Sequence, residues 1–255
     1  MHVLPQASDA ACNLLLRALP PAELEHLLPH LQPVTFSLGQ VIYEPGERIE
    51  YCYFPTDSVV SLLYTTQDGT TAEMGLVGNE GVLGIALLLG GQTTCSRALV
   101  PLAGDAFRLP AEVLQTEFAR AGLLQRVLLR YVLALIIQIS QTAVCNRLHS
   151  VEQRLCRWLL LCHDRKNRSE LVMTQELIAS MLGGRRESVT VAAGHLQDAG
   201  LIHYCRGHIT ILDRVGLEAA ACECYRAVEN EADRLIGRKR GPESSNPEAA
   251  LEVAG

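Results

Sequence analysis

Residues 174–202 decide the fold, and they read Thr-Gln-Glu-Leu-Ile-Ala-Ser-Met-Leu-Gly-Gly-Arg-Arg-Glu-Ser-Val-Thr-Val-Ala-Ala-Gly-His-Leu-Gln-Asp-Ala-Gly-Leu-Ile. Thr174 suits the N-cap of a short helix, Gly183-Gly184 permits a sharp turn, and Gly200 would end a second helix. The apolar positions expected to be buried on the two helices are Leu177, Ile178, Leu182, Val189, Ala193 and Leu196. A short helix, a glycine turn and a second helix with polar residues near its start predict a helix-turn-helix.

The first residues of the second helix carry side chains that suit contact with DNA bases. Arg186 can donate two hydrogen bonds to guanine, and Glu187 can accept one from cytosine or hold a neighbouring arginine. Thr174 and Arg185 are better suited to phosphate. The candidate DNA-binding residues are Thr174, Arg185, Arg186, Glu187, Ser188, Thr190, Val191 and His208. The alternative is a small helical subdomain with a solvated polar face, but helix lengths, turn glycines, buried positions and a wing together favour DNA reading.

The segment after the second helix predicts that wing. Two short strands, around 203–205 and 209–212, flank an Arg206-Gly207 turn, so His208 could touch backbone phosphates. Residues 147–214 hold ten basic and seven acidic residues, whereas the whole chain has a net charge of −6. A basic module inside an acidic chain is compatible with a nucleic acid partner.

Upstream, residues 34–109 alternate short apolar runs with turn residues, which is typical of a β-barrel or roll. Asp68-Gly69 between two alternating runs predicts a hairpin. A last strand pair, 96–101 with 105–109, would close this region.

Pro110 then opens a helical stretch that runs almost to Arg165. Between Val127 and Ile139 apolar groups lie on nearly every face, so we expect cover from several sides: the β-roll on one side and a second copy of the chain on the other. Burial inside one monomer is the alternative. Charged and amide side chains interrupt the run, which argues against a membrane span.

Cysteine usage and the N-terminus indicate the cellular compartment. The nine cysteines are scattered, and the only close pair is Cys222-x-Cys224. The N-terminal Met-His-Val-Leu-Pro has neither a basic region nor a long apolar run. We therefore expect no disulfide framework and a cytoplasmic location.

Residues 174–202, with Arg186-Glu187-Ser188-Val189-Thr190, resemble the helix-turn-helix of the cyclic-AMP receptor protein and fumarate–nitrate regulator (Crp/Fnr) family. Leu38-Gly39-Gln40-Val41-Ile42-Tyr43-Glu44-Pro45-Gly46 followed by Tyr53-Phe54 resembles the family's cyclic-nucleotide-binding-like domain. The likeness spans about 20–225. It implies an α+β fold with this β-roll, a long dimerisation helix and a C-terminal winged helix-turn-helix. The expected divisions are 1–20 (N-terminal helical lead), 21–118 (sensor roll), 119–149 (dimerisation helix), 150–225 (winged DNA-binding domain) and 226–255 (C-terminal tail, disordered at its end).

The resemblance also locates an effector pocket, but with altered residues. Family members that bind cyclic AMP use a Gly-Glu-Leu-Gly run and a later Arg-Ser-Ala, where this chain has Gly81-Val82-Leu83-Gly84 and Thr94-Cys95-Ser96. Without that arginine a buried cyclic phosphate lacks its bidentate partner, so we expect an effector other than cyclic AMP and no known cofactor. The candidate pocket residues are Glu80, Gly81, Thr94, Cys95, Ser96 and Arg97.

A metal site is not expected from the sequence. Only Cys12 lies near the N-terminus, where the oxygen-sensing branch of the family clusters the cysteines that hold an iron–sulfur cluster. Five other residues could gather around a metal: Cys205, Cys222, Cys224, His203 and His208. Cysteines of this kind are more often small buried hydrophobes.

Two other function classes are the alternatives to a DNA-binding regulator. No nucleophile elbow, phosphate-binding loop or His-Glu-x-x-His motif appears, so an enzyme is not expected. A dimeric ligand-binding adaptor without specific DNA reading is the remaining alternative. The expected partners are double-stranded DNA, a second copy of the chain and RNA polymerase, with no membrane; half-sites would lie about one helical turn apart.

Overall fold

The computed structural model describes residues 6–166 and 170–237 of the chain. It begins with three short helices, α1 (Ala7–Ala10), α2 (Leu14–Arg17) and α3 (Pro21–Leu27), the last continuing into a 3-10 turn at Leu28–His30. Asn13 caps α2 by accepting hydrogen bonds from the backbone N–H groups of Leu15 and Leu16. Its amide also donates to the carbonyls of Pro55 and Gly81, each at 2.9 Å, which fixes this lead onto the roll.

Seven antiparallel strands then form the predicted β-roll as two sheets. The strands are β1 (Gln32–Phe36), β2 (Val41–Tyr43), β3 (Tyr51–Pro55), β4 (Val59–Thr65), β5 (Thr71–Val77), β6 (Arg97–Leu102) and β7 (Gly104–Pro110). One sheet has the order β1-β7-β3 and the other β2-β6-β4-β5. The hairpin at Asp68-Gly69 is confirmed, because β4 and β5 pair antiparallel with Thr65 opposite Thr71.

The pairing of the last two strands was predicted wrongly. β6 and β7 are separated by a single residue, but β6 pairs with β2 and β4, whereas β7 lies between β1 and β3. Gly104 adopts a φ of +158° at the point where the chain passes from one sheet to the other. The chain between β6 and β7 therefore passes from one sheet to the other and does not form a hairpin.

The long helical stretch divides into three helices, α4 (Ala111–Ala119), α5 (Leu123–Leu148) and α6 (Val151–Lys166). The breaks fall at 120–122, where Ala121 has a φ of +55°, and at His149, which is extended. α5 is long and apolar enough to span a membrane. In the structure, one face of α5 packs on the roll and on the C-terminal helix.

The winged unit has a small sheet around the two predicted helices. Its elements are β8 (Glu170–Val172), α7 (Gln175–Leu182), α8 (Arg186–Asp198), β9 (Ile202–Cys205), β10 (His208–Ile211) and α9 (Arg214–Ala220). The sheet order is β8-β10-β9. Strand β8 was not predicted from the sequence, because three residues are too few to show an alternating pattern.

The chain after residue 225 is not a simple tail. The last described helix, α10 (Cys224–Ile236), packs along α5, so residues 226–236 correct the interpretation of 226–255 as tail. The expected disorder at its end concerns residues 238–255, which lie outside the described residues.

Two hydrophobic cores organise the molecule. The first joins the N-terminal helices, the inner faces of the roll and one face of α5. The second fills the winged unit and also contains Val59, Leu63, Leu76 and Leu102 from the roll. The winged unit therefore shares its hydrophobic core with the sheet that contains β4 and β5.

Candidate functional site

The helix-turn-helix is built as the sequence predicted. The Thr174 hydroxyl accepts a hydrogen bond from the Leu177 N–H at 3.2 Å and so caps α7. Gly183 ends this helix with a φ of +58°, a conformation that costs glycine least. The side chains of α7 and α8 that are buried between and beneath them are Ile178, Ala179, Met181, Leu182, Val189, Ala192, Ala193 and Leu196. Leu177 is only half-buried.

All eight candidate DNA-binding residues are exposed. Arg185 occupies the N-cap of α8, and Arg186 and Glu187 lie in its first turn. No ion pair involving these three side chains occurs within the described ranges 6–166 and 170–237, so Glu187 does not hold an arginine here. The first turn of α8 thus presents two cationic groups and one carboxylate to solvent.

Thr190 has a second role that the sequence did not reveal. Its hydroxyl lies 3.0 Å from the Gln175 side-chain oxygen and donates either there or to the Arg186 carbonyl. Gln175 is the first residue of α7, so this contact joins the starts of the two helices. The Thr190 hydroxyl is therefore already engaged in a hydrogen bond within the protein.

The wing differs from expectation at its tip. His208 is the first residue of β10, and its Nδ1 lies 2.7 Å from a Glu170 oxygen on β8, so a carboxylate lies beside the proposed phosphate contact. Arg206, in the turn itself, is exposed and has a φ of +49°. The sequence marked Arg206 as a turn residue, whereas its exposed cationic side chain makes it the better candidate for phosphate.

Contacts between α7 and the roll connect the two functional parts. The hydroxyls of Thr71 on β5 and Ser180 on α7 lie 2.7 Å apart. Nearby, the buried Glu73 carboxylate accepts hydrogen bonds from Ser61 at 2.6 Å and from the Trp158 indole at 3.0 Å. Burial raises the pKa of Glu73, against the effect of these hydrogen bonds.

A buried ion pair forms a second connection. Glu80 Oε1 lies 2.7 Å from Arg165 Nε, and both side chains are almost inaccessible to solvent. Burial alone would lower the pKa of Arg165, but the carboxylates of Glu80 and Glu229 raise it. A methyl group on Gly78 would lie only 2.7 Å from the Arg165 Cβ, so glycine is required for this approach.

The candidate effector residues fall into two groups with different partners. Glu80 pairs with Arg165, and Gly81 lies directly against the Tyr131 ring of α5. Thr94 and Ser96 contact each other through their hydroxyls at 2.9 Å, Arg97 binds Glu44 at 2.8 Å, and Cys95 is exposed. A cavity of about 380 Å³ on the roll is lined by other residues, among them Arg48, Tyr51, Gln92 and Gln115.

The structure also corrects the grouping of possible metal ligands. Cys205 is exposed in the wing, and His203 lies in the same strand. Of the five candidate ligands, only Cys222 and Cys224 come together, and Cys145 and His149 lie beside them. This grouping has little signal in the sequence, because Cys145 and His149 lie more than 70 residues away from the close cysteine pair.

Comparisons with known proteins match both halves of this architecture. A family model described as a cyclic nucleotide-binding domain matches residues 33–121, and a second, described as a Crp-like helix-turn-helix domain, matches residues 153–220. Regulators with a Crp-like helix-turn-helix bind DNA and function as dimers. The matched proteins are transcription regulators and not enzymes.

Individual relatives agree with the family models. The global nitrogen regulator of Synechococcus elongatus is 27% identical over 198 residues, covering 73% of this chain and 88% of the relative. The structure of FixK2 from Bradyrhizobium japonicum has a TM-score of 0.64 at 16% identity, covering 75% and 98% of the two chains. A putative regulator of the Crp/Fnr family from Eubacterium rectale has a TM-score of 0.62 at 18% identity, covering 81% and 96%. The chain belongs to the Crp/Fnr family of transcription regulators.

Proposed function

We propose that α8 reads a specific duplex sequence through Arg186, Glu187, Thr190 and Val191. The observation that carries this proposal is the exposed, unpaired first turn of α8, which a helix in the major groove would direct at base edges. Thr174, Arg185 and Ser188 would bind phosphates, as would the wing through His208 and Arg206.

The exposed face of α5 supports dimerisation as the arrangement that presents two such helices. Leu129, Leu133 and Ile136 follow one another at intervals of three or four residues, and Val144 and Leu148 continue this face two turns further on; all five are at least 44% exposed. Such spacing suits coiled-coil packing against a second copy. The two-fold axis would then place two α8 helices on half-sites about 34 Å apart.

The regulatory signal would enter through the roll and be a ligand other than cyclic AMP. Support comes from Val82 and Thr94 at positions where cyclic-AMP-binding relatives have glutamate and arginine, and from the engagement of Glu80 by Arg165. Because Arg165 lies on α6 and pairs with Glu80, a conformational change at 78–81 would act directly on the winged unit. A regulator of this kind would act in the cytoplasm and contact RNA polymerase.

Selection from random DNA tests the proposal. The purified full chain is incubated with a random duplex library, with and without a small-molecule extract of cells, and bound DNA is amplified and sequenced. We expect enrichment of a two-fold symmetric sequence with half-sites one helical turn apart. A library that remains random under every condition would leave the adaptor alternative and overturn the proposal.

A further inference from the structure

Four ligand-type side chains meet where α5 ends, at a place that DNA reading does not use. Cys145 and His149 lie one helical turn apart at the end of α5, Cys222 lies between α9 and α10, and Cys224 is the first residue of α10. The ligand atoms of these four side chains all lie within 4.8 Å of one another.

The distances fit a single tetrahedral cation. The sulfurs of Cys145 and Cys222 are 3.5 Å apart, and the Cys224 sulfur is 3.4 Å from the His149 Nδ1. Zn²⁺ binds thiolate at about 2.3 Å and imidazole at about 2.0 Å, so tetrahedral ligands lie roughly 3.5–3.8 Å apart. Ligands of an iron–sulfur cluster surround several iron atoms and must be further apart than this.

Neighbouring groups orient the ligands as in known zinc sites. The Nε2 of His149 lies 3.3 Å from a Glu223 oxygen, which leaves Nδ1 directed at the cysteines. A carboxylate on the second ring nitrogen is the usual support for a metal-bound histidine. The Gln141 amide donates to the Cys224 sulfur at 3.0 Å.

Burial and charge also fit. The three cysteines are buried and form a cluster separate from both hydrophobic cores, so they do not contribute to the packing of either core. Arg154 Nε and Arg157 Nη1 are buried without a hydrogen-bond acceptor in the described part of the chain, and both guanidinium groups interact electrostatically with Cys145. Three thiolates and one divalent cation leave one negative charge, which these arginines would balance.

We propose that Cys145, His149, Cys222 and Cys224 bind one Zn²⁺ ion in a closed tetrahedral site. Each thiol would release its proton to solvent as the metal–sulfur bond forms, with no change of oxidation state. The ion would join the end of the dimerisation helix to the junction of α9 and α10. It would thereby hold the DNA-binding unit in a fixed position relative to α5.

Cobalt substitution tests the site in the full chain. The reduced, metal-stripped protein is titrated with Co²⁺, whose visible bands distinguish tetrahedral thiolate from octahedral coordination, and then with Zn²⁺. We expect one Co²⁺ per chain with tetrahedral bands, a thiolate charge-transfer band, and loss of both when Zn²⁺ is added. Cys222→Ser should abolish these bands, whereas Cys205→Ser, which alters an exposed wing cysteine, should retain them.

Two further measurements keep the proposal falsifiable if Cys222→Ser does not fold. His149→Gln alters a ligand near the helix end and should weaken Co²⁺ binding, and Zn²⁺ should raise the melting temperature of the wild type but not that of this variant. Octahedral bands, identical spectra in wild type and His149→Gln, or a Cys145–Cys222 disulfide in a protein that takes up no Zn²⁺ after reduction would each overturn the proposal. None of these readouts depends on DNA.

Discussion

At the scale of single residues, Glu73 shows how a polar group can connect two domains. It lies on β5 of the roll, is 4% exposed, and accepts hydrogen bonds from its own sheet and from Trp158 on α6. Its burial raises its pKa above the ordinary value of 4.5. The folded protein therefore binds this proton more tightly than the unfolded chain does.

The Glu73→Gln variant should change how stability depends on pH. The pKa of Glu73 is higher in the folded protein than in the unfolded chain. Glu73 therefore lowers the free energy of unfolding as pH rises from 4.5 through the raised pKa, by at most about 1.4 kcal/mol per pH unit. Glutamine can still accept from Trp158 but does not ionise. Urea unfolding across this pH range should show a gain in stability for Glu73→Gln that grows with pH and then levels off.

A difference between Glu73→Gln and wild type that stays constant across pH would contradict the assignment.

Residues with local roles could be predicted from the sequence, and residues with distant partners could not. Thr174 and Gly183 follow from capping and turn chemistry, which act within a few positions. The Glu80–Arg165 pair joins residues 85 positions apart, and the resemblance had placed Glu80 in an effector pocket. His208 was assigned to phosphate because nothing in the sequence pairs it with Glu170.

At the scale of elements, α5 is the helix whose faces decide the assembly. The sequence showed apolar residues all round, and the structure divides them: Leu128 and Leu135 face the roll, whereas Leu133 and Ile136 face solvent. An apolar pattern alone could not separate these faces, because both repeat every three or four residues. The position of the roll determines which apolar side chains of α5 are buried and which face solvent.

Ile136→Glu should prevent dimerisation without unfolding the monomer. Ile136 is 50% exposed, so a charge there is solvated in the monomer but would be buried in the dimer. Sedimentation velocity should show a dimer for wild type and a monomer for the variant, with the same helix content by circular dichroism. Leu89→Glu, at a more exposed apolar position on the roll, should remain dimeric; equal behaviour of the two variants would contradict the assigned face.

At the scale of the whole molecule, the buried Glu80–Arg165 pair is one of the contacts that hold the roll and the winged unit together. Removing one partner leaves an uncompensated buried charge. Arg165→Met should therefore reduce the free energy of unfolding by about 3–5 kcal/mol in urea. The double variant Glu80→Gln/Arg165→Met should lose less, because the Glu80 carboxylate is no longer left buried without its arginine.

Arg234→Ala removes an exposed ion pair with Glu231 on α10 and should leave the unfolding curve unchanged, which makes it the control. Equal losses for Arg165→Met and the double variant would show that packing, and not charge, accounts for the effect.

Sequence-specific reading by α8 requires a higher affinity for one DNA sequence than for another. Dissociation constants are measured by fluorescence anisotropy, at one fixed salt concentration, for the selected operator and a scrambled duplex, using wild type, Arg186→Ala and Arg234→Ala. We expect wild type and Arg234→Ala to prefer the operator, and Arg186→Ala to lose about 1–3 kcal/mol on the operator with little change on the scrambled duplex. Equal affinity of the wild type for both duplexes, or an equal loss on both in Arg186→Ala, would contradict sequence-specific reading by α8.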